Sequence, residues 1–298
     1  MAHHALPRRW GRSAGAEPRA RTWARLEANA AREGGSAAEA RLGRPVRGTV
    51  SGPAAADGAV SGVVLLLPDG EPESARGPSA VSHAAALPLA RSLARAGQRD
   101  GLVAHVVRYR GRGWNGAEAQ LARDASWAAD EAVRRYGDVP VCLAGRGMGG
   151  RAALHAAGHA AVNSVLALAP WLPEDDVAAQ PEPVKQLTGR QVLLVHGTND
   201  ARIDPELSYR LAERAKKANR DTCRFEVHSD GHSLRQYKAE VQALAADFVL
   251  GALFSRAFAR PVADALAAPP PLGLRMPLAA GFGRSLRNRH WSPPRIHR

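Results

Sequence analysis

Residues 139–158 read VPVCLAGRGMGGRAALHAAG, and this stretch decides the fold. Its first part, Val139 to Ala144, has the length and the valine and leucine content of a buried parallel strand. A glycine cluster follows, and Arg151 to Ala156 continue as a helical pattern that stops at Gly158. The stretch therefore predicts a strand, a sharp glycine turn and a helix.

Two different kinds of site are built on such a turn. In the first, written G-x-S-x-G, a nucleophile lies at the tip of a strained turn, and position 147 is that tip here. In the second, G-x-G-x-x-G cradles a pyrophosphate, and Gly145, Gly147 and Gly150 fit this dinucleotide-binding spacing as well. The sequence on either side of the turn has to decide between them.

Outward from the turn, short apolar runs alternate with helical stripes. The predicted strands are residues 62–67, 101–107, 139–144, 162–169, 191–196 and 224–228. Helices are expected between them, including one from Leu87 to Ala96 with Pro88 in its first turn, and a last one over residues 234–248. This alternation predicts an α/β fold with a doubly wound, mostly parallel sheet and helices on both faces.

The charge of +13 is concentrated at the two ends of the 298-residue chain. Residues 1–47 carry ten arginines and four acidic residues, and residues 255–298 carry eight arginines and one aspartate. Both ends are poor in core-forming residues, so we expect disordered segments at 1–47 and 255–298 around one folded domain at 48–254. Because that domain is neutral overall, nucleic acid is an unlikely partner for it, although the basic ends offer weak contacts.

The remaining composition indicates a cytoplasmic protein. Two cysteines, Cys142 and Cys223, are too few for a disulfide framework and suggest a reducing compartment. No apolar run approaches the roughly 18 residues that a membrane helix requires. The pair Arg8-Arg9 is not followed by an apolar segment, so it does not predict export.

The order of residues along the chain favours the nucleophile type of turn. That template has a nucleophile, then an acid, then a histidine, and the chain offers position 147, Asp200 in HGTND and His232 in SDGH. Each follows a predicted strand, where a parallel sheet gathers its functional loops. Asp204 competes for the role of the acid, but a helix cap before Pro205 explains it.

Residues 49–254 resemble an α/β-hydrolase. The resemblance rests on GVVLLLPDG, GRGMGG, VLLVHGTND and SDGH, which occur in the family's order. With almost no insertion between Ala169 and Gln191, the chain is similar to the small, capless members, such as dienelactone-hydrolase-like and short esterase-like proteins. The resemblance implies an ester- or lactone-like small molecule as ligand, with Asp200 orienting His232 as general base.

The chain departs from the family at the tip of the turn, where Gly147 replaces the nucleophile. Glycine offers no oxygen or sulfur for attack on a carbonyl, so no acyl-enzyme forms there. Glycine also adopts the strained tip conformation freely, which relieves strain on the order of 1 to 3 kcal/mol. Restoring the nucleophile by Gly147→Ser is expected to raise ester hydrolysis at least about a hundredfold.

Other parts of the site are predicted from their position at the same edge of the sheet. The backbone N–H of Met148 and that of Gly70 or Glu71 are expected to form an oxyanion hole. Substrate-lining residues are expected on the loops, namely Trp171, Leu172 and Trp114. No cofactor is predicted, and the histidine pairs 155/159 and 228/232 lack a third ligand, so no metal site is predicted.

Three functions stay open from the sequence. The first is an α/β-hydrolase-fold protein with impaired or lost catalysis, because Gly147 interrupts an otherwise complete frame. The second is an active hydrolase in which Asp200 and His232 activate a water that occupies the space beside Gly147. The third is a dinucleotide-binding protein that uses Gly145, Gly147 and Gly150.

Overall fold

Eight strands form one sheet within the part of the chain that the structure describes. The structure is a computed structural model that describes residues 39–48, 59–174 and 181–283. The strands are β1 (Arg41–Leu42), β2 (Gly62–Leu67), β3 (Leu102–Arg108), β4 (Val141–Gly147), β5 (Val162–Pro170), β6 (Gln191–Gly197), β7 (Thr222–Val227) and β8 (Met276–Pro277). Their order is β1-β3-β2-β4-β5-β6-β7-β8. Only the β1–β3 pairing among these strands is antiparallel, which confirms the predicted, mostly parallel sheet.

Helices cover both faces of the sheet, as the alternating pattern predicted. They are α1 (Ala80–Ala96), α2 (Gln120–Tyr136), α3 (Met148–Ala156), α4 (Pro205–Ala218), α5 (Lys238–Phe254) and α6 (Arg260–Ala267). Helices α2, α3 and α4 pack on one face, and α1, α5 and α6 pack on the other. The carboxyl ends of the central strands therefore meet between two layers of helix, where a doubly wound fold places its functional loops.

Strand β2 shows why its sequence is apolar without alternation. Val63, Leu65 and Leu67 pack into the core under α2 and α3, whereas Val64 and Leu66 pack into the core under α1 and α5. All five are fully buried, because successive side chains of a strand point to opposite faces and both faces here are covered.

Two helix starts differ from the prediction. Helix α1 begins at Ala80, where the side chain of Ser79 accepts a hydrogen bond from the N–H of Ser82, and Pro88 lies well inside the helix. The last predicted helix begins at Lys238 instead of residue 234, since Leu234 has a positive φ of 48° that interrupts a helix. The predicted cap at Asp204 with Pro205 behind it is confirmed.

Ordered structure extends beyond both predicted limits of the folded domain. The described residues belong to one compact unit that begins at Glu39, and Arg41–Leu42 pairs with β3. At the other end, α6 packs on the sheet through Val262 and Ala265, and β8 pairs with β7. The prediction of disorder therefore does not hold for residues 39–47, which contain β1, or for residues 255–283, which contain α6 and β8. For residues 1–38 and 284–298 it lies outside the described residues.

A buried lysine holds this C-terminal extension. The ammonium of Lys216 on α4 is fully buried and donates to the carbonyls of Thr222 at 2.7 Å, Ala265 at 3.0 Å and Leu266 at 3.3 Å. A buried charge without hydrogen bonds would be very costly, so these carbonyls tie α6 to α4 and β7. Arg220 supplies a fourth carbonyl at 3.3 Å.

Candidate active site

The glycine turn has the conformation that a strained nucleophile turn requires. Gly147 ends β4 and precedes α3, with φ 55° and ψ −124°. Residues that carry a side chain rarely adopt a positive φ of this kind, whereas glycine adopts it without a steric penalty. The turn therefore keeps its shape although the residue at its tip carries no side chain.

The two predicted oxyanion donors converge on a single atom, which belongs to Asp69. Its Oδ1 accepts hydrogen bonds from the N–H of Met148 at 2.8 Å and from the N–H of Gly70 at 2.9 Å. Asp69 lies two residues after the end of β2, and its carboxylate reaches the amino end of α3, where a negative charge is favoured. Sequence analysis did not identify Asp69, which looked like an ordinary turn residue in the segment PDGE.

The same carboxylate fills the space beside Gly147. A Cβ atom built on Gly147 would lie 2.3 Å from Oδ1 and 2.7 Å from Cγ of Asp69. These distances are shorter than any normal contact, so a side chain at position 147 displaces Asp69. The expected room for a water beside Gly147 is therefore taken by a carboxylate oxygen.

This contact also changes the expectation for Gly147→Ser. The serine needs the place that Asp69 occupies, and Asp69 would have to leave both of its backbone donors. The predicted hundredfold gain consequently applies to a variant in which residue 69 is made small as well.

The acid and the histidine lie together as predicted from their order in the chain. His232 Nδ1 is 2.8 Å from Oδ2 of Asp200, and Asp200 comes from the loop after β6. Because a carboxylate only accepts, His232 donates its Nδ1–H, and in a neutral ring this bond places the lone pair on Nε2. This is the tautomer of a general base.

Searches among known proteins agree with this arrangement at the level of the fold. No family model matches the chain, and no curated protein sequence matches it significantly. Among solved structures, an esterase from Pyrococcus furiosus is similar with a TM-score of 0.50 and 14% identity, covering 66% of this chain and 83% of the esterase. A cold-adapted esterase from an Arctic intertidal metagenomic library also has a TM-score of 0.50, with 18% identity and coverages of 66% and 85%.

The chain has the α/β-hydrolase fold. At these identities the likeness concerns the fold alone. What this α/β-hydrolase frame does at its site has to be argued from its own residues.

Asp200 is the centre of a buried hydrogen-bond network in this frame. Its Oδ1 accepts from the N–H groups of Arg202 at 2.9 Å and Ile203 at 3.1 Å, and its Oδ2 also accepts from Nε2 of His196 at 3.1 Å. Burial alone would raise the pKa of the Asp200 carboxyl, but the hydrogen bonds from two histidine rings and two backbone N–H groups hold the pKa far below its ordinary value. Asp200 is therefore ionised at neutral pH.

His196 extends the network into the core and was missed by sequence analysis, which treated it as a strand residue. Burial lowers the pKa of His196, so its ring is neutral. Its Nδ1 lies 2.8 Å from the hydroxyl oxygen of Ser208, and the single hydrogen of that hydroxyl has two acceptors within reach, this nitrogen and the carbonyl of Pro205 at 2.8 Å. The same hydroxyl accepts from Nε of the buried Arg224 at 3.0 Å. The only sequence signal was the histidine itself, an ionisable residue at the end of an apolar strand.

The predicted lining residues belong to one packed cluster. Trp114 and Leu172 are buried, and Trp171 is half-buried. The guanidinium of Arg151 lies 4.1 Å from the ring centre of Trp114 and 5.0 Å from that of Trp171, and it forms an ion pair with Glu182. Their role in binding a substrate remains a prediction.

A small cavity borders Asp69. It has a volume of about 60 Å³ and is lined by Asp69, His83 and Tyr109, among others. Tyr109 is buried and its hydroxyl has no hydrogen-bond partner among the described residues, while burial raises its pKa well above the ordinary value. The cavity is far below the roughly 300 Å³ of an ordinary small-molecule pocket.

Among the described residues, no cluster of three histidine, cysteine or carboxylate side chains could hold a metal ion. His155 pairs with Glu182, and His159 pairs with Asp130 at 3.0 Å.

Among the residues that the structure describes, no helix is both long and apolar enough to span a bilayer.

Proposed function

We propose that this protein is a pseudo-hydrolase: an α/β-hydrolase-fold protein that has lost acyl transfer and retains its site as a binding element. The observation that carries the proposal is the position of Asp69. Its Oδ1 takes both oxyanion donors and lies 2.3 Å from the place of a Cβ at position 147.

Two requirements of acyl transfer are missing at once. The nucleophile is absent, and in a protease with a comparable three-part arrangement that loss alone reduces turnover by about 10⁶. The N–H groups of Met148 and Gly70, which would stabilise the oxyanion of a tetrahedral intermediate, are already bound to the side-chain oxygen of Asp69. A second oxygen at the same place would clash with it.

The same contact argues against the two alternative functions. Hydrolysis by a water that His232 activates needs a space beside Gly147, and the carboxylate of Asp69 takes that space. A dinucleotide needs its pyrophosphate at the amino end of α3, but the N–H of Met148 there already binds Asp69. Either the water or the dinucleotide would have to displace the carboxylate of Asp69.

For the ligand, the fold shared with esterases makes ester- or lactone-like small molecules the class to test first. In the retained pair, Asp200 still holds His232 through Nδ1 of its ring. Binding without turnover is the expected behaviour.

The test measures hydrolysis of p-nitrophenyl acetate and butyrate by four proteins. We expect no activity above background for the wild type and a gain below about tenfold for Gly147→Ser, because Asp69 competes with the new hydroxyl. The double variant Asp69→Gly/Gly147→Ser is expected to gain at least about a hundredfold, a small part of the 10⁶ that such a nucleophile can contribute. Adding His232→Ala to the double variant should abolish the gain.

An ordinary esterase rate in the wild type, lost on His232→Ala, would contradict the proposal. An equal gain in the single and the double variant would show that Asp69 does not block the site.

A further inference from the structure

A groove lined by arginines runs along the edge of the sheet that carries β1. One wall is the segment 41–48, and the other is α1 with the end of β3. The groove has two parts of about 480 and 400 Å³, which share Pro45 and Val46 and are therefore continuous. Six arginines line what we call the arginine groove: Arg41, Arg44, Arg47, Arg91, Arg95 and Arg108.

These arginines are exposed, and no acidic side chain among the described residues pairs with them. All six are exposed to solvent, and none forms an ion pair with a carboxylate of the described residues. Elsewhere on the domain arginines do pair, as Arg110 does with Asp124 and Arg112 with Glu71. What distinguishes this face is that six such arginines line one continuous groove.

Two of the six are placed in direct opposition. Arg41 faces Arg108 in the antiparallel register of β1 and β3. Like charges directly opposite each other destabilise a strand pair. An anion bound between the two walls would relieve this repulsion, and guanidinium groups match phosphate oxygens in two-point hydrogen bonds.

The dimensions of the groove favour an extended ligand. From His83 to Arg95, its wall on α1 is about 18 Å long at 1.5 Å per residue. Arg91 and Arg95 are four residues apart and so lie on the same side of the helix. A single phosphate would use only a part of this length, whereas a chain of phosphates would use all of it.

The groove also offers surfaces for bases. Val46 and Leu87 are half-buried apolar side chains between the arginines. Guanidinium planes stack on unpaired bases. An acidic peptide has no bases, so this contact favours nucleic acid. We propose that the arginine groove binds single-stranded nucleic acid through its phosphate backbone.

The neutral balance of residues 48–254 does not oppose this proposal. Three of the six arginines precede residue 48, and no aspartate or glutamate of the described residues lines the groove beside the other three. The preceding residues 1–38 add seven arginines against three acidic residues, which strengthens attraction at long range.

The experiment uses the full chain and fluorescein-labelled 12-nucleotide oligo-dT and oligo-U, with binding followed by anisotropy between 50 and 200 mM KCl. Arg91→Gln/Arg95→Gln should weaken binding at least about tenfold and reduce the slope of log Kd against log salt by about 1.4, which is two phosphate contacts at roughly 0.7 each. The matched control, Lys185→Gln/Arg220→Gln, removes two exposed charges before β6 and β7. It should change Kd by less than about twofold.

Arg91→Lys/Arg95→Lys should recover most of the affinity, because lysine still contacts phosphate as a point charge. Thermal melting checks that each variant folds, and Arg41→Gln/Arg44→Gln replaces the first variant if it does not. Equal losses in the groove and control variants would overturn the proposal. Absence of wild-type binding, stronger binding of a 12-base-pair duplex, or equal competition by poly-glutamate or by anionic phosphatidylserine vesicles would overturn it as well.

Discussion

The two halves of the candidate active site are built very differently. The acid–histidine corner, Asp200 with His232, keeps the hydrogen bond and the tautomer that a general base needs. The nucleophile corner, Gly147 with Asp69, has lost the reacting atom and has its oxyanion donors filled. One corner looks functional and the other does not.

The two corners differ in how many hydrogen bonds connect them to buried groups. Asp200 accepts four hydrogen bonds, one of them from the buried ring of His196, so its removal leaves several buried donors unpaired. Asp69 is half-buried and accepts from only two donors, the N–H groups of Met148 and Gly70. An intact acid–histidine pair is thus maintained by folding alone and is not by itself a sign of catalysis.

The largest effect is expected from Asp200→Ala. Removing one partner of a buried, hydrogen-bonded pair typically costs 3–5 kcal/mol, and we expect about 3 kcal/mol or more in the free energy of unfolding, measured with urea. Asp204→Ala is the matched control, because it removes an exposed helix cap four residues away and should cost about 1 kcal/mol. Similar losses in both variants would break the comparison.

The pH dependence of stability should identify the same carboxylate. The pKa of Asp200 is depressed in the folded state, so its stabilisation is complete above the unfolded pKa of about 3.9 and is lost as pH falls toward the folded pKa. The stability difference between the wild type and Asp200→Asn should therefore shrink below about pH 4, by up to about 1.4 kcal/mol per pH unit. A difference that stays constant from pH 7 to pH 3 would contradict this assignment.

Glycines of the turn should separate into tolerant and intolerant positions. A Cβ on Gly149 would lie 2.0 Å from the carbonyl oxygen of Leu67, which is backbone of a central strand and cannot yield. At Gly147 the obstacle is the Asp69 side chain, which can move. We expect Gly149→Ala to lower the free energy of unfolding by about 3 kcal/mol and Gly147→Ala by about 1–2 kcal/mol, both measured by urea denaturation. In an Asp69→Gly background only the cost at position 147 should fall.

The smallest effect is expected from Asp69→Asn. The amide oxygen can still accept from the N–H groups of Met148 and Gly70, so the free energy of unfolding should change by less than about 1 kcal/mol. Thermal melting measures the change, with Asp200→Asn as the contrasting variant. A larger loss at position 69 than at position 200 would reverse the comparison between the two corners.

The sequence was sufficient for the parts of this molecule that repeat a pattern. Apolar runs such as residues 62–67 predicted the strands, and their order along the chain placed Asp200 and His232 at one edge of the sheet. The meeting of Met148 and Gly70 around one oxygen also follows from the turn. These features depend on backbone direction, which periodicity and glycine position report well.

What the sequence did not reveal depends on where individual side chains point. Nothing in PDGE indicates that Asp69 turns back toward Met148. The available signal was an acidic residue directly before Gly70, a predicted oxyanion donor, together with the glycine at position 147. Helix α6 was hidden by Pro- and Ala-rich composition, although Pro261 suits its first turn and Val262 and Ala265 are spaced as one helical face.

The four carbonyl groups that accept from the ammonium of Lys216 determine where the chain can be truncated. Truncation after residue 254 would strip two of its four oxygen partners from a fully enclosed ammonium and uncover the outer strand β7. A fragment that ends at residue 254 would be poorly soluble, whereas one that ends at residue 283 retains all four carbonyl partners of Lys216.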